Sequence, residues 1–305
     1  MKDSDWKQLT HTLSGLSIRE QEPLSKHTTL NVGGVARLFI EPCTESEALS
    51  ALRAISDAGA PLLVLGNGSN LLVCDAGFDG VVLHFGKKMS DITVSGNRLI
   101  AQAGALLPTV CQVAGAAALT GLEFAAGIPA TVGGAACMNA GAYGWQMCDT
   151  LVSVRCVTPD GQRVDIPVSD MDYGYRSSRA LKENLIVLSV VFSLGEGDRD
   201  TIYEKIAEYR KRRKASQPLT YPSAGSFFKR PEGYFAGALI EQAGLKGVCV
   251  GAAQVSELHA GFLINLGGAT AMDFLKLKRH VQETVHARSG IWLESEVRVV
   301  GEAAT

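Results

Sequence analysis

Two short stretches place reactive or anion-binding side chains among glycine and aromatic residues. In Tyr173–Ser178 the arginine is Arg176, whose guanidinium is a planar fork of donors that suits a carboxylate. In Ser223–Arg230 the serine of interest is Ser226. No histidine and acid can be assigned to a triad with this serine, so the pattern does not indicate a hydrolase nucleophile. The structural alternatives are an arginine paired at the surface and a well-packed turn.

A third stretch, Trp292–Arg298, alternates acidic and apolar residues. In a β-strand this alternation places Glu294 and Glu296 on one face and Leu293 and Val297 on the other. The stretch therefore predicts a strand. A carboxylate on a strand is most often only solvated, so the role of the two acids stays open.

The glycine segment, residues 121–144, contains six glycines. Glycine adopts positive φ and lets a ligand approach the main chain, but each interior glycine costs a helix about 1 kcal/mol relative to alanine. Bare N–H groups on successive turns form concavities that bind anions such as a pyrophosphate. The segment therefore predicts either an anion-binding loop or small residues packed under a helix or sheet.

A second feature, the glycine turn Gly66–Asn70, has the sequence Gly-Asn-Gly-Ser-Asn between apolar runs at 61–65 and 71–73. A strand, a tight turn and another strand could surround a phosphate with backbone, Ser and Asn donors. The turn lacks the third glycine and the following helix of a Rossmann motif, and it lacks the Gly-Lys-Ser/Thr of a Walker loop. The turn alone does not identify its ligand.

Composition limits the classes of protein and of site. The 305 residues are 46% hydrophobic and 20% charged, with a formal net charge of −2, which predicts two or three globular domains and no field that attracts nucleic acid. The N-terminus lacks the apolar core of a signal peptide, and polar residues interrupt the most apolar window, 103–126, too often for a membrane span. Seven cysteines without a Cys-x-x-Cys pair and six histidines without His-Glu-x-x-His predict reduced thiols, a cytosolic protein and no metal site.

Hydrophobic periodicity predicts the elements that position these residues. Residues 1–26 are polar and predict a loosely held lead-in. A helix is predicted over 44–58, where Thr44 caps the N-terminus and Glu47 is its capping-box partner. A second helix is predicted over 108–118. Strands are predicted at 35–40, 61–65, 71–74, 80–85, 98–102, 151–157, 163–166 and 184–194.

The C-terminal third begins after an amphipathic helix predicted over 198–214. The basic run at the end of this helix is stabilised by the helix dipole, and a solvated helix end is favoured over a phosphate site. A linker with two prolines, 217–222, follows. Beyond it we predict helices at 236–243 and 270–286 and strands at 248–254, 261–265 and 295–300. The predicted domains are 27–90, 91–214 and 215–305.

Taken together, these motifs and their order resemble the UDP-N-acetylenolpyruvoylglucosamine reductase family of flavoenzymes, over nearly the whole chain. The stretches that carry the resemblance are Gly66–Asn70, Gly127–Gly134, Asn139–Ala142, Tyr175–Ser178, Gly225–Lys229 and Glu296–Arg298.

The resemblance implies an α+β fold: an FAD-binding fold of the vanillyl-alcohol-oxidase (PCMH) type in two subdomains, followed by a smaller α+β substrate domain. It implies an FAD-dependent oxidoreductase that uses NADPH to reduce UDP-N-acetylglucosamine enolpyruvate to UDP-N-acetylmuramate, a precursor of bacterial peptidoglycan. It also implies a cytoplasmic protein whose partners are these small molecules, with no nucleic acid and no membrane insertion. A monomer is expected.

The resemblance further implies which residues act on the substrate. When hydride passes from flavin N5 to C3 of the enolpyruvyl ether, negative charge accumulates on the carboxylate, and preorganised donors there lower the barrier. Arg176 and Glu296 are implied as these donors, Glu296 only in a protonated or proton-sharing form, which burial or a nearby like charge favours. Ser226 is implied as the proton donor to C2.

The binding residues follow from the same resemblance. Substrate contacts are implied for Tyr175 and for two lysines at the pyrophosphate, Lys214 and Lys229. The FAD contacts are implied at Gly66, Asn67, Gly68, Ser69, Asn70, Leu71, Gly127, Ile128, Pro129, Thr131, Val132, Gly133, Gly134, Asn139 and Gly141.

Two departures and two alternatives stay open. Arg230 stands where some members have asparagine, and the chain lacks the tyrosine-bearing loop of longer members, so it resembles the shorter type. Cys137 in the glycine segment is read as a small packed residue. The alternatives are another FAD oxidoreductase of this fold acting on a small hydroxy acid or alcohol, and a nucleotide-binding regulatory protein without turnover. The joint presence of Ser226, Arg176 and Glu296 argues against both. An alcohol oxidase has no enolate to protonate, and a protein without turnover would be indicated by the loss of these three residues.

Overall fold

Helices and strands succeed one another irregularly along residues 1–301, the part of the chain that the computed structural model describes. The helices are α1 (Asp3–Thr12), α2 (Glu45–Asp57), α3 (Leu107–Ala116), α4 (Val132–Cys137), α5 (Arg179–Lys182), α6 (Arg199–Ser216), α7 (Ala236–Gln242) and α8 (Ala271–Ser289).

The strands are short. They are β1 (Ser17–Pro23), β2 (Val35–Glu41), β3 (Leu62–Leu65), β4 (Leu71–Val73), β5 (Phe78–His84), β6 (Ile92–Ser95), β7 (Arg98–Gln102), β8 (Leu119–Thr120), β9 (Gly141–Ala142), β10 (Trp145–Gln146), β11 (Leu151–Val157), β12 (Arg163–Pro167), β13 (Ile186–Ser193), β14 (Gly195–Glu196), β15 (Ser223–Ser226), β16 (Cys249–Val250), β17 (Ala253–Val255), β18 (Phe262–Asn265) and β19 (Arg298–Val300).

The chain divides into two compact units that are both discontinuous in sequence. Unit 1 comprises Met1–Glu20, Leu38–Asn67 and Gly80–Lys211, and unit 2 comprises Gln21–Arg37, Gly68–Asp79 and the chain from Arg212 onward. The division falls inside the glycine turn, between Asn67 and Gly68. The three domains predicted from the sequence are continuous segments, and their limits stay a prediction.

A five-stranded antiparallel sheet in the order β12-β11-β13-β7-β6 forms the centre of unit 1. Its apolar side chains, such as Val154 and Val190, are buried in one core with residues of α3, α4 and α6. The predicted strands 98–102 and 151–157 are confirmed in full. Leu99 and Ala101 of β7 and Leu151, Val154 and Cys156 of β11 lie in this core.

A second core of unit 1 includes the N-terminal helix. Trp6, Leu9 and Leu13 are buried with α2 residues such as Leu52, so the loosely held lead-in predicted for residues 1–26 is wrong. Their spacing of three and four places them on one helix face, which outweighs the polar residues on the other. Helix α2 and its Thr44 cap are confirmed, since the Thr44 side chain accepts a hydrogen bond from the Glu47 amide. The Glu47 carboxylate accepts from the Cys43 amide, one residue before the position that the predicted capping box requires.

Unit 2 is built on the antiparallel sheet β15-β18-β17-β16, whose apolar residues share a core with α7 and α8. Both oxygens of Asp75 accept hydrogen bonds from the first amides of α8, those of Ala271 and Met272, which a helix N-terminus favours. Strand β19 pairs in parallel with β4.

The closing strand is shorter than the sequence predicts. Only Arg298–Val300 is a strand, since residues before Arg298 form only an isolated bridge. The predicted separation of side chains holds, because Leu293 and Val297 are buried while Glu294 is exposed and Glu296 half-buried. Over residues 1–301 no helix is both long and apolar enough to cross a membrane.

Candidate active site

In unit 1 the start of the glycine turn lies against the glycine segment. The Asn67 side chain donates a hydrogen bond of 2.7 Å to the carbonyl of Pro129. A Cβ atom on Gly66 would lie 2.2 Å from the Thr131 hydroxyl oxygen, a separation that only glycine avoids. The structure thus brings together two stretches, far apart in sequence, that were predicted to contact FAD.

The glycine segment is partly a packed segment and partly an accessible one. A Cβ on Gly133 would lie 2.9 Å from the Ala103 side chain, whereas one on Gly134 would meet no atom closer than 3.6 Å. Gly134 and Pro129 are exposed, and Gly127, Ile128 and Gly141 are half-buried. This accessible main chain beside Gly66 and Asn67 fits the binding of an extended group such as FAD.

Several amides of the segment donate within the protein. Ile128 donates to the carbonyl of Ala125, Val132 to that of Ala105 and Gly133 to that of Ala103. These three N–H groups are therefore not the bare donors that the anion-binding hypothesis requires. The FAD contacts predicted for Ile128, Val132 and Gly133 therefore require atoms other than their amide N–H groups.

Replacing Gly66 by alanine is expected to weaken FAD retention. Overpacking against Thr131 costs about 1–3 kcal/mol, and 1.4 kcal/mol corresponds to roughly a tenfold change in affinity. The measurement is the FAD-to-protein absorbance ratio after gel filtration. Thr131→Ala, which removes the clashing hydroxyl, should restore part of the loss in the double variant. Gly15→Ala is the control, since a Cβ there meets nothing within 4 Å; equal FAD loss in this control would contradict the interpretation.

Arg176 sits at the tip of a tight hairpin in unit 1, which we call the arginine hairpin, Gly174–Ser177. Gly174 and Ser177 pair through two main-chain hydrogen bonds, and Arg176 has a φ of 53°. A non-glycine residue in this conformation costs of the order of 1–3 kcal/mol, so the surrounding hairpin must hold it there. The Tyr175 ring lies 5.0 Å from the Arg176 guanidinium carbon.

The arginine hairpin is bonded to the glycine segment. The Arg176 guanidinium makes long hydrogen bonds of 3.4 and 3.5 Å to the carbonyls of Asn139 and Gly141. The Ser178 hydroxyl donates to the carbonyl of Cys137 at 2.7 Å. Of the residues predicted from sequence, the structure therefore brings Arg176 and Tyr175 together with Asn139 and Gly141.

In unit 2 the segment that follows Ser226 runs beside the segment that contains Glu296. The Glu296 amide donates to the carbonyl of Phe227 at 2.9 Å, and the Lys229 amide donates to the carbonyl of Glu294 at 2.8 Å. Phe228 and Ser295 form an antiparallel bridge between these hydrogen bonds. Ser226 and Glu296, which are 70 positions apart in the sequence, thus belong to adjacent segments that main-chain hydrogen bonds join.

The second half of the glycine turn, Gly68–Asn70, is hydrogen-bonded to the segment of unit 2 that contains Glu296. The Asn70 side chain donates to the carbonyl of Glu296 at 3.2 Å, and the Asn70 carbonyl accepts from the Arg298 amide at 3.0 Å. Gly68 has a φ of 59°, and a Cβ on it would lie 2.1 Å from the carbonyl oxygen of His27. Leu71 then enters β4.

Sequence reasoning missed two supports of this region. Thr29 bonds through its amide to the Gly68 carbonyl and through its hydroxyl to the Ser223 carbonyl at 2.7 Å. The buried Gln282 of α8 donates to the Leu293 carbonyl at 2.7 Å. The only sign of the Gln282 contact in the sequence is a polar residue on the apolar face of α8.

The predicted substrate lysines are less tightly tied to the site. Lys229 forms an ion pair of 3.1 Å with Glu294, and both side chains are largely exposed. Lys214 is exposed on α6. The guanidinium of Arg230 stacks on the Phe235 ring at 4.0 Å, so at this departure from the family pattern the arginine is held by an aromatic ring.

The cysteines are not arranged for redox or metal chemistry. Burial raises the pKa of the Cys111 and Cys156 thiols to about 12, which suppresses the reactive thiolate. Cys137 is half-buried at the end of α4. Among residues 1–301 no three His, Cys, Asp or Glu side chains are grouped to hold a metal ion.

Comparison with known families agrees with this arrangement. A family model described as an FAD binding domain matches residues 36–167, and one described as the UDP-N-acetylenolpyruvoylglucosamine reductase C-terminal domain matches residues 217–300.

Individual relatives match nearly the whole chain. The UDP-N-acetylenolpyruvoylglucosamine reductase of Exiguobacterium sibiricum is 49% identical over 93% of this chain and 93% of its own length. That of Pediococcus pentosaceus is 46% identical over 94% and 95%. The crystal structure of the Thermus caldophilus enzyme superposes with a TM-score of 0.81 at 38% identity, covering 94% of this chain and 99% of that one.

A more distant structure shows the fold alone. A glucose oxidase variant of Phl p 4 superposes with a TM-score of 0.50 at 16% identity, covering 63% of this chain and 44% of its own. The predicted α+β fold with an FAD-binding domain of the PCMH type is confirmed.

Proposed function

Because the chain belongs to the UDP-N-acetylenolpyruvoylglucosamine reductase family of FAD-binding oxidoreductases, we propose that it reduces UDP-N-acetylglucosamine enolpyruvate to UDP-N-acetylmuramate with NADPH as reductant. The product is a peptidoglycan precursor, and the reaction takes place in the cytoplasm. The C2–C3 double bond of the enolpyruvyl group gains a hydride at C3 and a proton at C2, while NADPH is oxidised to NADP⁺.

One observation supports this function above the others: the pairing of residues 227–229 with residues 294–296 in unit 2. In this pairing the main chain that follows Ser226 runs along that of Glu296, and Asn70 of the glycine turn bonds to the Glu296 carbonyl. A proton donor and a second acid held next to a flavin-binding turn suit a reduction that ends in protonation of carbon.

The residues proposed to hold FAD are those of the glycine turn, with Leu71, and the accessible main chain between Gly127 and Gly141. When bound, FAD would take a hydride from NADPH and supply it to C3 of the substrate. Within unit 1, Gly66 packs on Thr131 and the Asn67 side chain bonds to the Pro129 carbonyl, which supports a shared role of these residues.

Three side chains are proposed to act on the substrate. The Arg176 guanidinium binds the carboxylate on which negative charge accumulates. The arginine hairpin holds this guanidinium in position before the charge develops. Glu296 donates from its protonated form to the same group. Ser226 delivers the proton to C2, because the enediolate left by hydride addition at C3 is far more basic than an ordinary acceptor of a serine proton.

Substrate binding is proposed to involve Tyr175, Lys214 and Lys229. The lysine charges suit the pyrophosphate of the UDP group. For Lys229 this requires exchange of its exposed ion pair with Glu294 for the phosphate, which costs little because exposed pairs contribute about 0–1 kcal/mol.

The test is the visible spectrum of the FAD-loaded protein, followed anaerobically. We expect the flavin bands to bleach with NADPH and to return when UDP-N-acetylglucosamine enolpyruvate is added. Bands that bleach but return only with oxygen would indicate another oxidoreductase of the same fold. A protein that takes up no FAD would overturn the proposal.

A further inference from the structure

Asn139 is the most completely buried polar residue among the predicted FAD contacts. Its side chain has 0% exposure, and its φ of 45° lies in the left-handed region. Asparagine is tolerated there better than most residues with a side chain. A side chain with no exposed surface contacts only protein, so its role must be found in its partners.

The Asn139 amide uses both its donor and its acceptor within unit 1. Its nitrogen donates to the Gln146 side-chain oxygen and to the Gly174 carbonyl, each at 3.1 Å. Its oxygen accepts from the Cys148 amide at 3.1 Å. A buried amide that loses such a partner costs about 1–3 kcal/mol, so this side chain fixes three segments against one another.

Asn139 is linked to Arg176 both through its side chain and through its main-chain carbonyl. Gly174 is the first residue of the arginine hairpin, so the Asn139 side chain holds the base of that hairpin. The Asn139 carbonyl accepts from the Arg176 guanidinium at 3.4 Å. One residue therefore fixes both the backbone that carries the arginine and the direction of its charged group.

We propose that Asn139 is a positioning residue that aims Arg176 at the substrate carboxylate, and that its side chain makes no contact with FAD. The inference rests on the proposed function, in which Arg176 binds that carboxylate. Its consequence is specific: loss of the Asn139 amide impairs the step that involves the carboxylate and spares the reduction by NADPH.

The test uses Asn139→Asp in the FAD-loaded protein. Aspartate keeps the size and the tolerance of positive φ, but its oxygens face the Gln146 oxygen and the Gly174 carbonyl without a proton to donate. A misplacement of about 1 Å can cost roughly 100-fold. We expect the flavin to be reoxidised by UDP-N-acetylglucosamine enolpyruvate roughly 10- to 100-fold more slowly, with FAD content and bleaching by NADPH within about twofold of the unsubstituted protein.

Coupling to Arg176 is measured by a double-mutant cycle. In an Arg176→Ala background, Asn139→Asp should cause no further loss of the reoxidation rate, because the group it positions is already absent. Asn184→Asp is the matched control, since Asn184 is an exposed asparagine with a φ of 54°, and it should leave both half-reactions unchanged. If Asn139→Asp does not fold, Gln146→Leu removes one of its acceptors and should give the same defect with smaller amplitude.

Three outcomes would overturn the proposal: loss of FAD from the Asn139 variant, slower bleaching by NADPH, or effects of the two substitutions that multiply in the double variant. These differ from failure of the proposed function, in which the unsubstituted protein itself would not be reoxidised by the enolpyruvyl substrate.

Discussion

Replacing Ser226 by alanine is expected to slow reoxidation of the reduced protein by UDP-N-acetylglucosamine enolpyruvate by roughly 10²- to 10⁴-fold, the range for loss of a positioned general acid. Bleaching by NADPH should be unchanged, because no proton is delivered to C2 in that half-reaction. Anaerobic stopped-flow absorbance measures both steps in one sample.

The fold should tolerate this substitution. Ser226 is exposed at the end of β15, and the neighbouring main chain is held by bonds that do not involve its hydroxyl, from the Phe227 amide to the Gly261 carbonyl and from the Glu296 amide to the Phe227 carbonyl. Ser223→Ala in the same strand is the control and should leave both steps unchanged. Product formation at the normal rate in the Ser226 variant would mean that another group protonates C2.

Local elements of this fold could be predicted from the sequence because their signals are local. Helix α2 has its cap and apolar face within one short stretch, β7 alternates buried and exposed residues, and β11 is a mostly apolar run. Residues 1–26 misled because their polar majority hides the buried face of Trp6, Leu9 and Leu13. The strand predicted over 295–300 starts too early, because the main chain before Arg298 is joined only by an isolated bridge at Ser295.

The candidate site could be predicted by residue type but not by arrangement. The bonds of Asn67 to Pro129, Asn139 to Gly174 and Asn70 to Glu296 join positions 62, 35 and 226 residues apart. No periodicity within either stretch identifies such a partner. A buried asparagine side chain and a flavin-contacting one also have the same sequence signal, which is why the burial of Asn139 had to come from the structure.

Glu296 is the residue at which protonation state can be tested by substitution. Its amide and carbonyl bond to the Phe227 carbonyl and to the Asn70 side chain, and these main-chain bonds persist whatever its side chain is. Glu296→Gln and Glu296→Ala therefore compare side-chain chemistry on the same backbone. Glu294→Gln is the matched control, because this neighbouring acid is exposed and pairs only with Lys229 among its ion pairs in the described chain.

We expect Glu296→Ala to slow reoxidation by the enolpyruvyl substrate by roughly 10²- to 10³-fold, the effect of removing one preorganised donor from a developing oxyanion. Glu296→Gln should lose much less, because its amide can donate as a protonated carboxyl does. If Glu296→Gln is as slow as Glu296→Ala while Glu296→Asp stays active, hydrogen-bond donation does not account for the role of Glu296, because glutamine can donate a hydrogen bond but can neither exchange a proton nor carry a charge.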